Sequence, residues 1–128
     1  MAQQISPSVA LEIADRLFKA IESGNVEAVR AVYAPTIRVW HNTDGKEQTR
    51  DENLATLGWV IANIKELSYT KVRRQPTPEG FVQQHILVGQ LASGKKIELP
   101  ACIIGTIENG LITRIDEYLD SAAVAAIR

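Results

Sequence analysis

Apolar residues recur at intervals of three and four in the first half of the chain and alternate with polar ones in the second, which predicts helices followed by strands. After Ser6-Pro7-Ser8, the positions Ala10, Ile13, Ala14, Leu17, Phe18 and Ile21 keep helical spacing until Ser23-Gly24 ends it. Asn25 can cap a short second helix carrying Val26, Val29, Val32 and Tyr33; it closes at Ala34-Pro35, because a residue before proline avoids the helical region. Residues 36–42 alternate and form a first strand, Asp44-Gly45 makes a turn, and Leu54, Leu57, Gly58, Ile61 and Ile64 mark a third helix over about 50–65. Strands then follow over 67–75, 81–91, 96–108 and 111–119, with Pro76 to Gly80 as the first loop and an alanine-rich tail over 121–128 whose state the pattern leaves open.

Helices first and an antiparallel meander afterwards is the α+β arrangement, with the three N-terminal helices packed on one face of the sheet. Two glycine turns predict its register. Asn109-Gly110 suits a two-residue hairpin loop, which sets Cys102 opposite Glu117 and Ile104 opposite Ile115. Ser93-Gly94, read as a two- or four-residue loop, sets His85 opposite Cys102. One row across the sheet then reads His85, Cys102, Glu117, on a surface that is otherwise aliphatic. Val82, Ile86, Val88, Ala101, Ile103, Ile107, Ile112 and Tyr118 are expected on the other face. No helix remains to cover them, so a homodimer through that outer face is expected.

The chain has 128 residues, 45% of them hydrophobic, which suits a single domain over 1–128 with one core. A net charge of -1 with scattered basic residues gives no footprint for nucleic acid. No apolar run approaches the roughly 20 residues that span a bilayer, and the first residues lack the regions of a signal peptide, so no membrane association and a cytoplasmic location are expected. One cysteine and two histidines do not make a convincing metal set, and neither metal nor cofactor is expected.

Candidate chemistry concentrates in few residues. His41 follows Val39 on an alternating strand and shares its side. His85 sits mid-strand, where a buried imidazole needs a partner. Glu117 on an aliphatic face would be tuned by desolvation or by a nearby cation, and both situations suit acid–base work. Each also has a plain alternative: a strand-end histidine bonded to its loop, a structural hydrogen bond, an exposed glutamate. Cys102 beside a histidine invites a thiolate reading, but no oxyanion hole is recognisable and single cysteines usually pack as small hydrophobes. Trp40, Trp59, Tyr33, Phe18 and Tyr118 could form a ligand box or simply core, and Trp59, beside the apolar stripe of its helix, could rim a pocket mouth.

The order of elements, the stretch from Tyr33-Ala34 to Val39-Trp40-His41-Asn42, and the closing run from Gly110 through Ile112-Thr113-Arg114-Ile115-Asp116-Glu117-Tyr118-Leu119-Asp120 resemble the SnoaL-like branch of the nuclear transport factor 2-like superfamily. That resemblance implies a curved, mostly antiparallel sheet wrapped by three helices into a cone with an apolar pocket, and dimers through the outer sheet face. It places His41 where ketosteroid isomerase keeps its proton-abstracting aspartate, and Leu17, which donates no hydrogen bond, where that enzyme has its oxyanion tyrosine. It places Gln83, His85 and Glu117 where limonene-epoxide hydrolase has an Arg-x-Asp pair and a last-strand aspartate, so only a carboxylate on the last strand is kept in type. The function expected is therefore cofactor-free general acid–base chemistry of isomerase, cyclase or hydrolase type on an apolar, carbonyl-bearing small molecule. His41, His85 and Glu117 would be catalytic, and Gln83, Cys102, Trp40, Trp59, Tyr33 and Leu17 would surround the substrate. The alternative is a non-catalytic module of the same fold that binds a hydrophobic ligand or serves as a dimeric interaction domain.

Overall fold

The computed structural model describes residues 5–127 and shows the α+β arrangement of three helices against one face of a curved, mostly antiparallel sheet. Helices α1 (Pro7–Glu22) and α2 (Val26–Val32) are followed by β1 (Tyr33–His41), β2 (Glu47–Gln48) and α3 (Arg50–Asn63). Then come β3 (Ile64–Thr77), β4 (Gly80–Leu91), β5 (Lys96–Glu108), β6 (Leu111–Leu119) and a terminal α4 (Ser121–Ala125). Sheet order is β2-β1-β6-β5-β4-β3, with β1 parallel to β6 and every other pair antiparallel.

The helix starts lie where the sequence puts their caps. Asn25 accepts from the Ala28 amide, and Thr49 with Glu52 forms a capping box at the head of α3. Helix α1 buries Ala10, Ile13, Ala14, Leu17, Phe18 and Ile21 against Ile37, Val39, Phe81, Ile103, Ile107, Ile112 and Ile115. The ring of Phe81 lies directly over its cross-strand partner Gly105, where a Cβ would overlap it, so this glycine makes room for the ring on the sheet. No helix among the described residues is long and apolar enough to cross a membrane.

Two features escaped the hydrophobic pattern. The two-residue β2 is too short to show any alternation. The tail forms α4, capped by Asp120, whose side chain accepts from the Ala122 and Ala123 amides. Val124 and Ile127 there pack with Leu119 on a second cluster built on Ile64, Ile97 and Leu99. The first strand loop is also tighter than expected, because Thr77 pairs with Gly80 and leaves only Pro78-Glu79 as the turn.

The two register expectations are each displaced by one residue. At Ser93-Gly94 the loop holds three residues, with Gly94 at φ +90° and the Leu91 amide bonded to the Lys95 carbonyl, so His85 pairs with Ala101 and Cys102 pairs with Gln84. The Asn109-Gly110 turn does start as expected, with Glu108 opposite Leu111 and Ile107 opposite Ile112. Thr106 then pairs with Arg114, which makes Thr113 an extra residue; Cys102 faces Tyr118, and Glu117 faces Ile103. The row His85, Cys102, Glu117 therefore does not exist. Because both displacements are of one residue, His85 and Glu117 still share the helix-covered face, while Cys102 moves to the outer one. Ala101, Ile103, Ile107 and Ile112, expected outside, turn inward; the three isoleucines belong to the main core. Val82, Ile86, Val88 and Tyr118 stay outside, joined by Cys102 and Ile104.

Candidate active site

Between the helices and the concave sheet face lies a cavity of about 240 Å³. Leu17, Phe18 and Ile21 of α1, Leu57 and Val60 of α3, and Leu87, Leu99, Ile103 and Ile115 of the sheet give it an apolar interior. Its polar wall is made by His41 and Glu117 with Thr43, Asp44, Gln48, Asn53 and Thr56, and the tail adds Val124 of α4 and Ile127 beyond it. Asp44 and Glu117 are its acidic members, and no lysine or arginine among the described residues lines it.

His41 and Glu117 are neighbours because β1 and β6 run parallel with these two residues in register. Nε2 of His41 lies 3.0 Å from Oε1 of Glu117, and the side chains are only 14% and 21% exposed, so water screens the pair weakly. Burial lowers the His41 pKa, but the hydrogen bond to Glu117 and the negative charges of Glu117 and Asp44 outweigh it, and the net shift is upward. The pair is held by Asn42, whose amide acts as a further piece of strand. Its Nδ2 donates to the Leu119 carbonyl at 3.1 Å and its Oδ1 accepts from the Leu119 amide at 2.7 Å, while its own backbone amide bonds the Glu117 carbonyl.

A chain of bonds stiffens the polar wall. Tyr33 donates to Oδ1 of the buried Asn53 at 2.8 Å, Asn53 donates to Gln48, and Gln48 donates to Thr56. Burial, aided by the Glu117 charge, raises the Tyr33 hydroxyl far above its usual pKa, so it remains a donor.

Gln83 and His85 share the inner face but are not among the residues that line the cavity. They are buried behind Phe18 and Tyr69, whose rings meet the His85 ring edge-on at centroid distances of 5.7 and 4.6 Å. Arg74 donates from Nε to Oε1 of Gln83 at 2.6 Å and reaches Asp15 on α1, while Nε2 of Gln83 meets Nδ1 of His85 at 2.9 Å. Desolvation is the main cause that lowers the His85 pKa; Arg74 adds to it and Glu117 opposes it.

Of the other expected site residues, Leu17, Tyr33 and Trp59 line the cavity, with Trp59 half-exposed. Trp40 does not. Strand alternation puts Val39 inside and Trp40 outside, where its ring meets Tyr118 edge-on at 5.2 Å. Cys102 also lies outside, for the register reason given above. Sequence reasoning missed Asn42, Asn53, Asp44 and Tyr69. Asn42 had a signal, since an amide directly after a strand can bond backbone, whereas Asn53 and Tyr69 reach the site only through the crossing of α3 and the bulges of β3.

The family model of the SnoaL-like domain matches residues 14–115. Solved structures share the architecture. A candidate polyketide cyclase from Xanthomonas campestris superposes with a TM-score of 0.82 at 17% identity, over 95% of this chain and 98% of that one. IdmH, a candidate polyketide cyclase from Streptomyces antibioticus, gives 0.79 at 16% identity over 92% and 96%. A nuclear transport factor 2-like protein from Burkholderia xenovorans gives 0.76 at 22% identity over 95% and 97%. At these identities the likeness shows the fold. No curated protein matches the sequence. With the family model covering most of its length, the chain belongs to the SnoaL-like family.

Proposed function

We propose that this protein is a cofactor-free acid–base catalyst of isomerase, cyclase or hydrolase type acting on a compact, apolar molecule that carries a carbonyl group. The observation that carries this reading is the His41–Glu117 pair set in the wall of an otherwise apolar cavity. The Glu117 carboxylate accepts the proton on Nε2, which leaves the lone pair on Nδ1 free to act as base. An upward-shifted His41 is the stronger base for it. Nδ1 would take a proton from the carbon next to the carbonyl, Glu117 and Asp44 would stabilise the imidazolium, and the same nitrogen would return the proton to another atom of the enolate. A cavity of about 240 Å³ sits below the usual range of about 300–1,000 Å³ for ligand pockets, and two carboxylates with no lysine or arginine in the lining disfavour an anionic substrate. A one- or two-ring neutral ketone fits both conditions. The candidate cyclases among the structural neighbours, which have the same fold, are in keeping with such chemistry.

The test is uptake of deuterium from D₂O at the α-carbon of cyclohexenone and tetralone, followed by proton NMR with wild type and Glu117→Gln. Exchange above background that falls at least about a hundredfold in the variant supports the reading. Binding without exchange in either protein overturns it and leaves a ligand-binding module. We further propose that a second copy covers the outer face, where Ile104 and Tyr118 are 41% and 47% exposed beside Val82, Ile86 and Val88.

A further inference from the structure

Two tyrosines line the cavity, and they differ in one respect. Tyr33 has a protein partner for its hydroxyl in Asn53. Tyr69 has none among the described residues, although its ring is fixed between Phe18 at 5.0 Å and His85 at 4.6 Å, both edge-on. Its hydroxyl is not sealed from solvent as Nε of Arg50 is, so it is left open to bond a molecule that enters the cavity.

We propose that Tyr69 is a further catalytic residue, the group that donates a hydrogen bond to the substrate's carbonyl oxygen and stabilises the enolate oxygen that forms there. The assignment rests on the acid–base reading given above. Tyr69 stands on β3 and Glu117 on β6, with β4 and β5 between them, and both side chains line the same concave cavity. A substrate between the two would present its acidic C–H to the His41–Glu117 pair and its oxygen to the phenol. As the C–H bond breaks, its electron pair moves into the carbonyl and its proton goes to His41, so negative charge gathers on the oxygen facing Tyr69. Burial, with the charges of Glu117 and Glu22 and the Tyr33 phenol, raises the Tyr69 hydroxyl well above its ordinary pKa, so it donates a hydrogen bond without giving up its proton. The buried Arg74–Gln83–His85 chain then has a purpose one layer back. It holds the imidazole edge against which the Tyr69 ring rests.

The probe is para-nitrophenolate, a compact planar oxyanion that imitates the enolate, with para-nitrotoluene as a probe of the same outline and no oxyanion. Both are titrated into Glu117→Gln, which removes the carboxylate charge that would repel the anion, and into Glu117→Gln/Tyr69→Phe, with thermal melts to establish that each variant is folded. The expected result is a loss of phenolate affinity of at least about tenfold on removing the Tyr69 hydroxyl, as for a hydrogen bond to a charged group, with the affinity for nitrotoluene changed less than about twofold. Equal loss for both probes, or loss for neither, overturns the assignment and leaves Tyr69 a packing residue, while the acid–base reading stands on the deuterium experiment. Failure of both probes to bind either variant overturns the compact-cavity reading and the assignment together.

Discussion

Gln83 turns its amide nitrogen, not its oxygen, toward Nδ1 of His85 at 2.9 Å, because Arg74 already occupies the oxygen with its Nε–H. A guanidinium can only donate, so it fixes which way the amide faces; the amide in turn makes Nδ1 an acceptor and confines the imidazole proton to Nε2. A doubly protonated His85 would set two donors against each other. Replacing Gln83 by glutamate presents an acceptor and a negative charge to the same nitrogen. The His85 pKa is expected to rise in Gln83→Glu, as read from the ring proton shifts in an NMR titration; an unmoved titration would show that the amide does not control this histidine.

The two histidines are expected to give stability opposite dependences on pH. His85 has its pKa lowered by folding, so its neutral form contributes stability above the unfolded value of about 6.5, and this is lost as pH falls through the folded pKa. His41 has its pKa raised, so its pairing with Glu117 is fully present below about 6.5 and is lost as pH rises through the folded value. Thermal melts of His41→Gln should differ from wild type most on the acid side, by about 1–2 kcal/mol, and hardly at all well above neutral pH. A difference that is flat across that range would mean the pair is not charge-coupled.

How much of this could be read from the sequence depends on what kind of signal a residue leaves. The helices announce themselves by period and, for the second, by the capping side chain of Asn25. The inward side of Glu117 and His85 came out right because two local misreadings compensated, and Cys102, lying between them, shows what each misreading did alone. Thr113 carries no mark of a bulge, and Ser93-Gly94 suits two-, three- and four-residue loops alike. Register is settled by packing of the whole sheet, so it is not written at the turn. The closeness of His41 to Glu117 was out of reach for a similar reason, since parallel pairing of β1 with β6 joins strands distant in sequence.

Asn42 offers a sharper test of how the His41–Glu117 pair is kept together. Its side chain makes both bonds to the Leu119 backbone that a neighbouring residue of strand would make. Asn42→Ala is expected to lose about 1–2 kcal/mol of stability by denaturant titration. It should also reduce α-proton exchange more than Asn42→Asp, which keeps the acceptor for the Leu119 amide. Equal exchange in wild type and Asn42→Ala would show that the clamp serves the fold alone.

The outer face predicts assembly. Ile104→Lys puts a charge beside Val82 at the middle of the proposed contact. The variant is expected to run as a monomer by light scattering where wild type runs as a dimer, with its cavity still able to bind ligand. A wild-type monomer at micromolar concentration would remove the second copy from the account.

Thr113 and the third residue of the Ser93-Gly94 loop act together as a parity device. In a strand every residue added to the regular pairing exchanges the two faces, so a bulge lost upstream of Glu117 inverts everything beyond it. Drawing Thr113 into the regular pairing, with the bulge lost, would set Glu117 opposite Cys102 on the exposed face and bring Asp116 and Tyr118 into the interior. The cavity would lose its glutamate without any change to the glutamate itself. The unpaired position of Thr113 thus decides which face carries the carboxylate, which makes the turns and bulges of this sheet as much a part of the site as the side chains that line it.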